Sequence, residues 1–99
     1  MTRSDYLDRI AGIGCILCRH LGFGYSPAQI HHPREWAGAA QRASDFLGIP
    51  LCPEHHQGAN GVHGLGRKGF YARYKLAEHD LLAMTIEAAW RGVNAARIA

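Results

Sequence analysis

Three cysteines and seven histidines in a chain of 99 residues are the side chains best suited to metal chemistry. Cys15-x-x-Cys18 sets two thiols across one turn, where both can bind the same ion. Cys52-x-x-His55 repeats that spacing further along. Together the two half-sites offer three sulfurs and one imidazole, the donor set of a closed tetrahedral zinc site. An odd cysteine count argues against a disulfide scaffold, and this assignment accounts for it. The competing reading is three buried thiols acting as small hydrophobes.

A second group of donors remains. His31 and His32 are adjacent, and His56 follows His55 directly. Neighbours on a helix diverge by about 100°, so His55 can face the cysteines while His56 turns toward His31 and His32. His63, in a glycine-rich segment, can reach the same place. Two or three imidazoles can hold a divalent ion with open positions, and a further imidazole, titrating near neutrality, can deprotonate water. His20, which flanks the knuckle, and His79, on the polar face of a helix start, read as polar surface or hydrogen-bonded groups outside this chemistry.

The elements that must position these groups form one small α+β domain spanning residues 1–99. The periodicity predicts a helix over 4–13, capped by Ser4 and carrying Tyr6, Leu7, Ile10 and Ile13 on one side. A metal-binding core follows over 14–66. Within it, 28–32 and 48–52 read as short strands, and 33–47 as a long loop with a helical turn around 39–42. Pro53 starts a short helix that Gly58 and Gly61 end. Two C-terminal helices fill 67–93, over about 67–76 and 78–92. The last is amphipathic, with Leu81, Leu82, Met84, Ile86, Ala89, Trp90 and Val93 expected to face inward.

Composition narrows the classes. Fifteen alanines, 12 glycines and 4 prolines leave few bulky apolar side chains. A core this thin needs a staple such as a metal. No apolar run approaches the roughly 18 residues of a membrane helix. The polar start, with Asp5 and Asp8, is unlike a secretory signal, so a cytoplasmic location is expected. The net charge of +3 permits nucleic-acid binding without requiring it. Nine of the eleven basic residues are arginine, the side chain suited to bidentate phosphate contacts.

Cys15-x-x-Cys18, Ile30-His31-His32 and Leu51-Cys52-x-x-His55-His56 together resemble the HNH endonucleases of the His-Me finger, or ββα-metal, class. Ile30-His-His32, Gln41-Arg-Ala-Ser44, Ile49-Pro-Leu-Cys-Pro-x-His-His56 and the glycine-rich histidine segment are similar, more narrowly, to the phage Ref type, the RecA-dependent nucleases. Small prophage proteins share this core. The likeness runs from about residue 14 to 82.

The resemblance implies a metal-dependent DNA endonuclease of phage or prophage recombination, acting in the bacterial cytoplasm as a monomer or weak dimer. It implies His32 as the general base. His31, His56 and His63 would ligate the catalytic ion, and Cys15, Cys18, Cys52 and His55 a structural zinc. The catalytic ion would be magnesium, manganese, nickel or zinc, and an all-imidazole ligand set favours the transition ions. DNA is the implied partner, with Arg34, Arg42, Arg67 and Lys68 as phosphate contacts.

A recombinase filament is a second partner the resemblance admits. Dependence on RecA is not expected to carry over, because the long basic arm of the Ref type is not in this sequence. The middle residue of the HNH pattern, which orients the base, falls to Asp45, Ser44 or Gln41. The alternative is an inactive zinc-stabilised module that binds nucleic acid or protein. It would keep the cysteines but have no need of His31, His32 and His56 together.

Overall fold

The computed structural model describes residues 2–33 and 44–92. Five helices and a two-stranded sheet follow in the order α1 (Arg3–Ile13), α2 (Ile16–His20), β1 (Gln29–His31), a 3-10 turn (Asp45–Leu47), β2 (Ile49–Leu51), α3 (Pro53–His56), α4 (Val62–Tyr74) and α5 (Glu78–Trp90). The architecture is α+β. The strands pair antiparallel, with Gln29 opposite Leu51, Ile30 opposite Pro50 and His31 opposite Ile49. The helical turn expected around 39–42 lies outside the described residues.

α1 starts at Thr2 rather than at Ser4. The Thr2 hydroxyl accepts from the Asp5 N–H at 3.0 Å, and the Asp5 carboxylate accepts from the Thr2 N–H at 3.1 Å. This reciprocal box satisfies two otherwise orphaned donors, an advantage the lone hydroxyl of Ser4 does not offer. At its other end α1 stops at Gly14, whose φ of +81° suits a residue without a Cβ. There is also no room for one: it would lie 2.6 Å from the Tyr25 ring and 2.8 Å from the Ser26 carbonyl. That close approach lets Ser26 O accept from the Cys15 N–H at 2.9 Å, fixing the first cysteine.

The thin core runs through the middle of the molecule. Ile10 and Ile13 of α1, Leu17 of α2, Ile49 and Leu51 of β2 and Leu81 of α5 are fully buried. All three cysteines belong to the same cluster, with Phe70, Ala88 and Ala89. α1 and α2 each pack on α5, and all three pack on β2, while α3 joins the sheet to α4. Arg9 of α1 also donates to the Ala89 carbonyl of α5 at 3.3 Å.

Several expectations are corrected. α2 and the 3-10 turn were not anticipated, because each is a short helical segment made by a cap rather than by apolar periodicity. In α2 the Cys15 sulfur accepts from the Cys18 N–H at 3.4 Å, and in the 3-10 turn the Ser44 hydroxyl accepts from the Phe46 N–H at 3.1 Å. Ile86 and Trp90 do not face inward: they are 48% and 90% exposed. The buried stripe of α5 instead runs through Leu81, Thr85, Ala88 and Ala89, where small residues let α1 approach. Val93 lies outside the described residues.

The glycine-rich segment from His63 to Gly66 is not a plain turn. Val62 to Leu65 are already helical, and α4 breaks at Gly66 (φ +72°) before continuing to Tyr74. α3 ends at His56, and Gly61 serves closeness rather than termination. A Cβ there would sit 2.5 Å from the carbonyl carbon of His55 and 2.7 Å from the Glu54 carbonyl oxygen. The start of α4 is therefore seated directly on the backbone of α3. Gly61→Ala should lower the unfolding free energy by about 1–3 kcal/mol, the usual cost of forcing extra atoms into a packed contact. A chemical denaturation midpoint equal to that of the wild type would contradict this seating.

Candidate metal centres and active site

The first centre is built by the knuckle that opens α2 and by the β2–α3 junction. Cys15 is the N-cap of α2, which holds Cys15 and Cys18 on one side of a turn. Cys52 is the N-cap of α3, with Pro53 in the first turn, so His55 comes round one turn later beside Cys52. The Nδ1 atom of His55 lies 3.6 Å from Cys15 Sγ, 3.5 Å from Cys18 Sγ and 3.4 Å from Cys52 Sγ. The sulfurs of Cys18 and Cys52 are 3.9 Å apart.

These separations are the edges of a tetrahedron. An ion with bonds of about 2.3 Å to sulfur and about 2.0–2.1 Å to nitrogen spaces its ligands about 3.8 Å apart (S···S) and about 3.5–3.6 Å apart (S···N). The four residues are buried and their donor atoms converge, so the cluster fits one tetrahedral metal ion.

Electrostatics point the same way. Burial first, then the neighbouring sulfurs of Cys18 and Cys52, push the Cys15 thiol up to about 12, against opposing hydrogen bonds from the backbone of Cys52 and Cys18. A cation among the sulfurs reverses that balance, because thiolates bind it directly. Burial holds His55 below the usual imidazole value, with Glu54 opposing, which keeps the imidazole neutral, as a ligand must be. The Tyr74 ring packs edge-on against His55, with centroids 5.9 Å apart, and its hydroxyl donates to the Asn60 carbonyl at 2.7 Å.

The second group lies beside the first because His56 follows His55. His31, His56 and His63 each offer a ring nitrogen, all within 4.8 Å of one another. Their rings stand 5.1 Å (His31–His56), 5.1 Å (His31–His63) and 4.9 Å (His56–His63) apart. His31 and His56 are buried and His63 is exposed, so the group opens to solvent on one side. It draws on β1, α3 and the first turn of α4. Nδ1 of His56 meets the side-chain carbonyl of Gln29 at 2.9 Å. That oxygen only accepts, so Nδ1 carries the proton and Nε2 keeps its lone pair. Burial first, then repulsion from His31, His63 and His32, pushes His56 down to about 4. His56 is therefore neutral at pH 7 and free to ligate.

His32, the first residue beyond β1, has a different partner from His31. Its Nε2 meets the Asp45 carboxylate at 2.8 Å, in a half-buried pair. A carboxylate accepts, so Nε2 is the donor in this contact, and in the neutral ring the lone pair is on Nδ1. Of the three candidates for the orienting role, Asp45 makes this contact. Ser44 instead caps the 3-10 turn that carries Asp45, and Gln41 lies outside the described residues. Because His32 directly follows His31, the pair lies next to the triad.

Arg67 lines a cavity of about 490 Å³ together with His31, His63 and Glu78, while Lys68 is exposed on α4. Arg34 and Arg42 lie outside the described residues. His20 is exposed, and His79 meets its neighbour Asp80 at 3.5 Å. Two contributors went unnoticed in the sequence. Gln29 had a usable signal, since residues two apart on a strand share a face and Gln29 precedes His31 by two. Glu78, whose carboxylate meets His31 Nε2 at 2.5 Å, had none, because 47 residues separate them.

The structure is thus a small α+β domain with a buried Cys3His cluster compatible with a metal ion and a three-histidine cluster beside it. Residues 2–90 match the family described as "Recombination enhancement, RecA-dependent nuclease", and the chain belongs to that family. Membership assigns it nuclease activity, a hydrolase function in recombination, and with it a DNA substrate and a link to RecA. No curated protein and no solved structure matches the chain. Among the described residues no helix is long and apolar enough to cross a membrane.

Because the Cys3His cluster lies in the core, its ion and the fold should be lost together. Cys52→Ser should abolish retention of one tightly bound metal per chain and leave the protein largely unfolded. The expected scale is the roughly 10–16 kcal/mol of apparent metal-binding energy in zinc-finger peptides. Metal analysis and circular dichroism read the two effects. A folded Cys52→Ser protein without metal would refute the coupling.

Proposed function

We propose that this chain is an HNH-type DNA endonuclease of the ββα-metal class, serving phage or prophage recombination. In this reading β1, β2 and α3 are the ββα unit, and His32 is the general base. His31, His56 and His63 hold the catalytic divalent ion. Cys15, Cys18, Cys52 and His55 hold a structural zinc. The observation that carries the reading is the pairing of His32 with Asp45 beside three converging imidazoles. An inert binding module would have no need of either arrangement.

Hydrolysis of a phosphodiester requires a nucleophile, a path for its proton and relief of the charge that builds on phosphorus. His31, His56 and His63 would hold a divalent ion, which would supply the last as a Lewis acid. The protein's own groups do the rest. His32 takes the proton of the attacking water on Nδ1, since Nε2 is committed to Asp45. The Asp45 carboxylate fixes the tautomer and ring orientation, and it stabilises the imidazolium once the proton has arrived, as the acid does in a serine-protease triad. The exposed edge at His63 admits the DNA backbone, and Arg67 and Lys68 on α4 supply positive charge for flanking phosphates.

Plasmid nicking with added divalent metal tests the roles. His32→Ala should lose about 10²- to 10⁴-fold in rate, the range for a general base. Asp45→Asn, which can offer its N–H₂ to Nε2 and so favour the wrong tautomer, should lose about 10²-fold or more with His32 intact. Both proteins should keep their Cys-bound ion. Wild-type cleavage by His32→Ala would end the assignment of the base. Metal-stimulated cleavage unaffected by loss of His56 would end that of the triad.

A further inference from the structure

Three outlying groups bear on the histidine triad: Gln29 on His56, Glu78 on His31 and Arg67 in the adjoining cavity. Glu78 is the least expected. It is the first residue of α5, and one of the buried polar residues at 9% exposed. A carboxylate out of water is costly unless it is paired. Two features offset that cost. Its place in the first turn of a 13-residue helix lets the helix dipole favour negative charge. Its Oε2 also meets Nε2 of His31 at 2.5 Å, in a buried pair.

Glu78 is not itself a member of the converging ligand-atom group, whose atoms all lie within 4.8 Å of one another. Two ligands of one ion, with bonds of about 2.0–2.2 Å, lie no more than about 4.4 Å apart. Glu78 thus stands one bond further out, where a carboxylate acts on the histidine rather than on the ion.

We propose that Glu78 is a positioning residue of the metal site: its carboxylate takes the Nε2–H of His31 and so presents the other ring nitrogen to the ion shared with His56 and His63. The inference rests on the reading of the triad as a metal site. A carboxylate behind a ligand histidine fixes the tautomer, locks the ring angle and makes the free nitrogen a stronger donor. The contact runs from the first turn of α5 to the end of β1, so seating α5 and completing the metal site become one event. Gln29 does the corresponding work for His56, as a neutral acceptor.

The test titrates cobalt or manganese into protein that already carries its Cys-bound ion, following heat by calorimetry and, for cobalt, the visible spectrum. Wild type should take up a second ion. Glu78→Gln should bind it about 10- to 100-fold more weakly, with an altered cobalt spectrum and the first ion retained. Equal affinity and an unchanged spectrum in Glu78→Gln would overturn the proposal even if its melting temperature fell, because a merely structural tie would do no more than that. Should Glu78→Gln fail to fold, nitrogen-15 correlation of the wild-type histidines decides. His31 should be protonated on Nε2, with the metal-induced shift on Nδ1, and the reverse pattern overturns the proposal. A wild type that takes up no second ion would overturn both this inference and the metal reading of the triad. A wild type that takes it up, with Glu78→Gln its equal, would overturn this inference alone.

Discussion

The convergence of Cys15, Cys18, Cys52 and His55 on one point is the constraint from which the rest of the molecule follows. A core made from Ile10, Ile13, Leu17, Ile49, Leu51, Leu81 and Phe70 is small for its surface, and the four ligands sit inside it. They tie the knuckle before β1 to the junction after β2. The loop between the strands is therefore closed at its base whatever its own conformation. With S···N edges of 3.4–3.6 Å the cluster tolerates little drift. Three of the four are also held locally: Cys15 by the Ser26 carbonyl, Cys18 through its N–H to Cys15, and His55 by the single turn of α3.

Rigidity at that point is passed to the histidine triad through one peptide bond. His55 faces the sulfurs, and His56, about 100° round the helix, faces His31 and His63. A loop-borne ligand would have to be ordered for each binding event. Here the ordering is part of folding, and the second site inherits it. Its outer contacts, from Gln29 and Glu78, come from separate elements. The triad thus reports whether β1, α3, α4 and α5 are all seated. His63 leaves the group open to solvent on its exposed side.

His31 and His32 divide labour at the end of a strand. The last residue of β1 sends its ring to the triad and Glu78, and the next residue, beyond the strand, sends its ring to Asp45 on the turn leading into β2. Two adjacent and chemically identical residues thus acquire different partners. One is backed by a buried carboxylate at a helix start. The other is backed by a half-buried carboxylate on a 3-10 turn, where a proton can be exchanged with water.

The Cys-x-x-Cys and Cys-x-x-His half-sites, the divergence of His55 from His56, the two short strands and the start of α3 at Pro53 were legible in the chain itself. Each depends on spacing within one turn or one strand, and local backbone geometry converts such spacing directly into direction. The caps of α1 and α2, the outward turn of Ile86 and Trp90 and the helical start of α4 were not. Capping competes among nearby hydroxyls and carboxylates, and a face of α5 can be called inward only once its neighbour is known. The partners of the two histidines were decided by tertiary structure alone. Asp45 was one of three candidates until the turn placed it against His32, and Glu78 had no signal at all. Sequence determines which donors exist and which side of their own element they occupy. Only packing determines which acceptor, from tens of residues away, arrives on the other side of each ring.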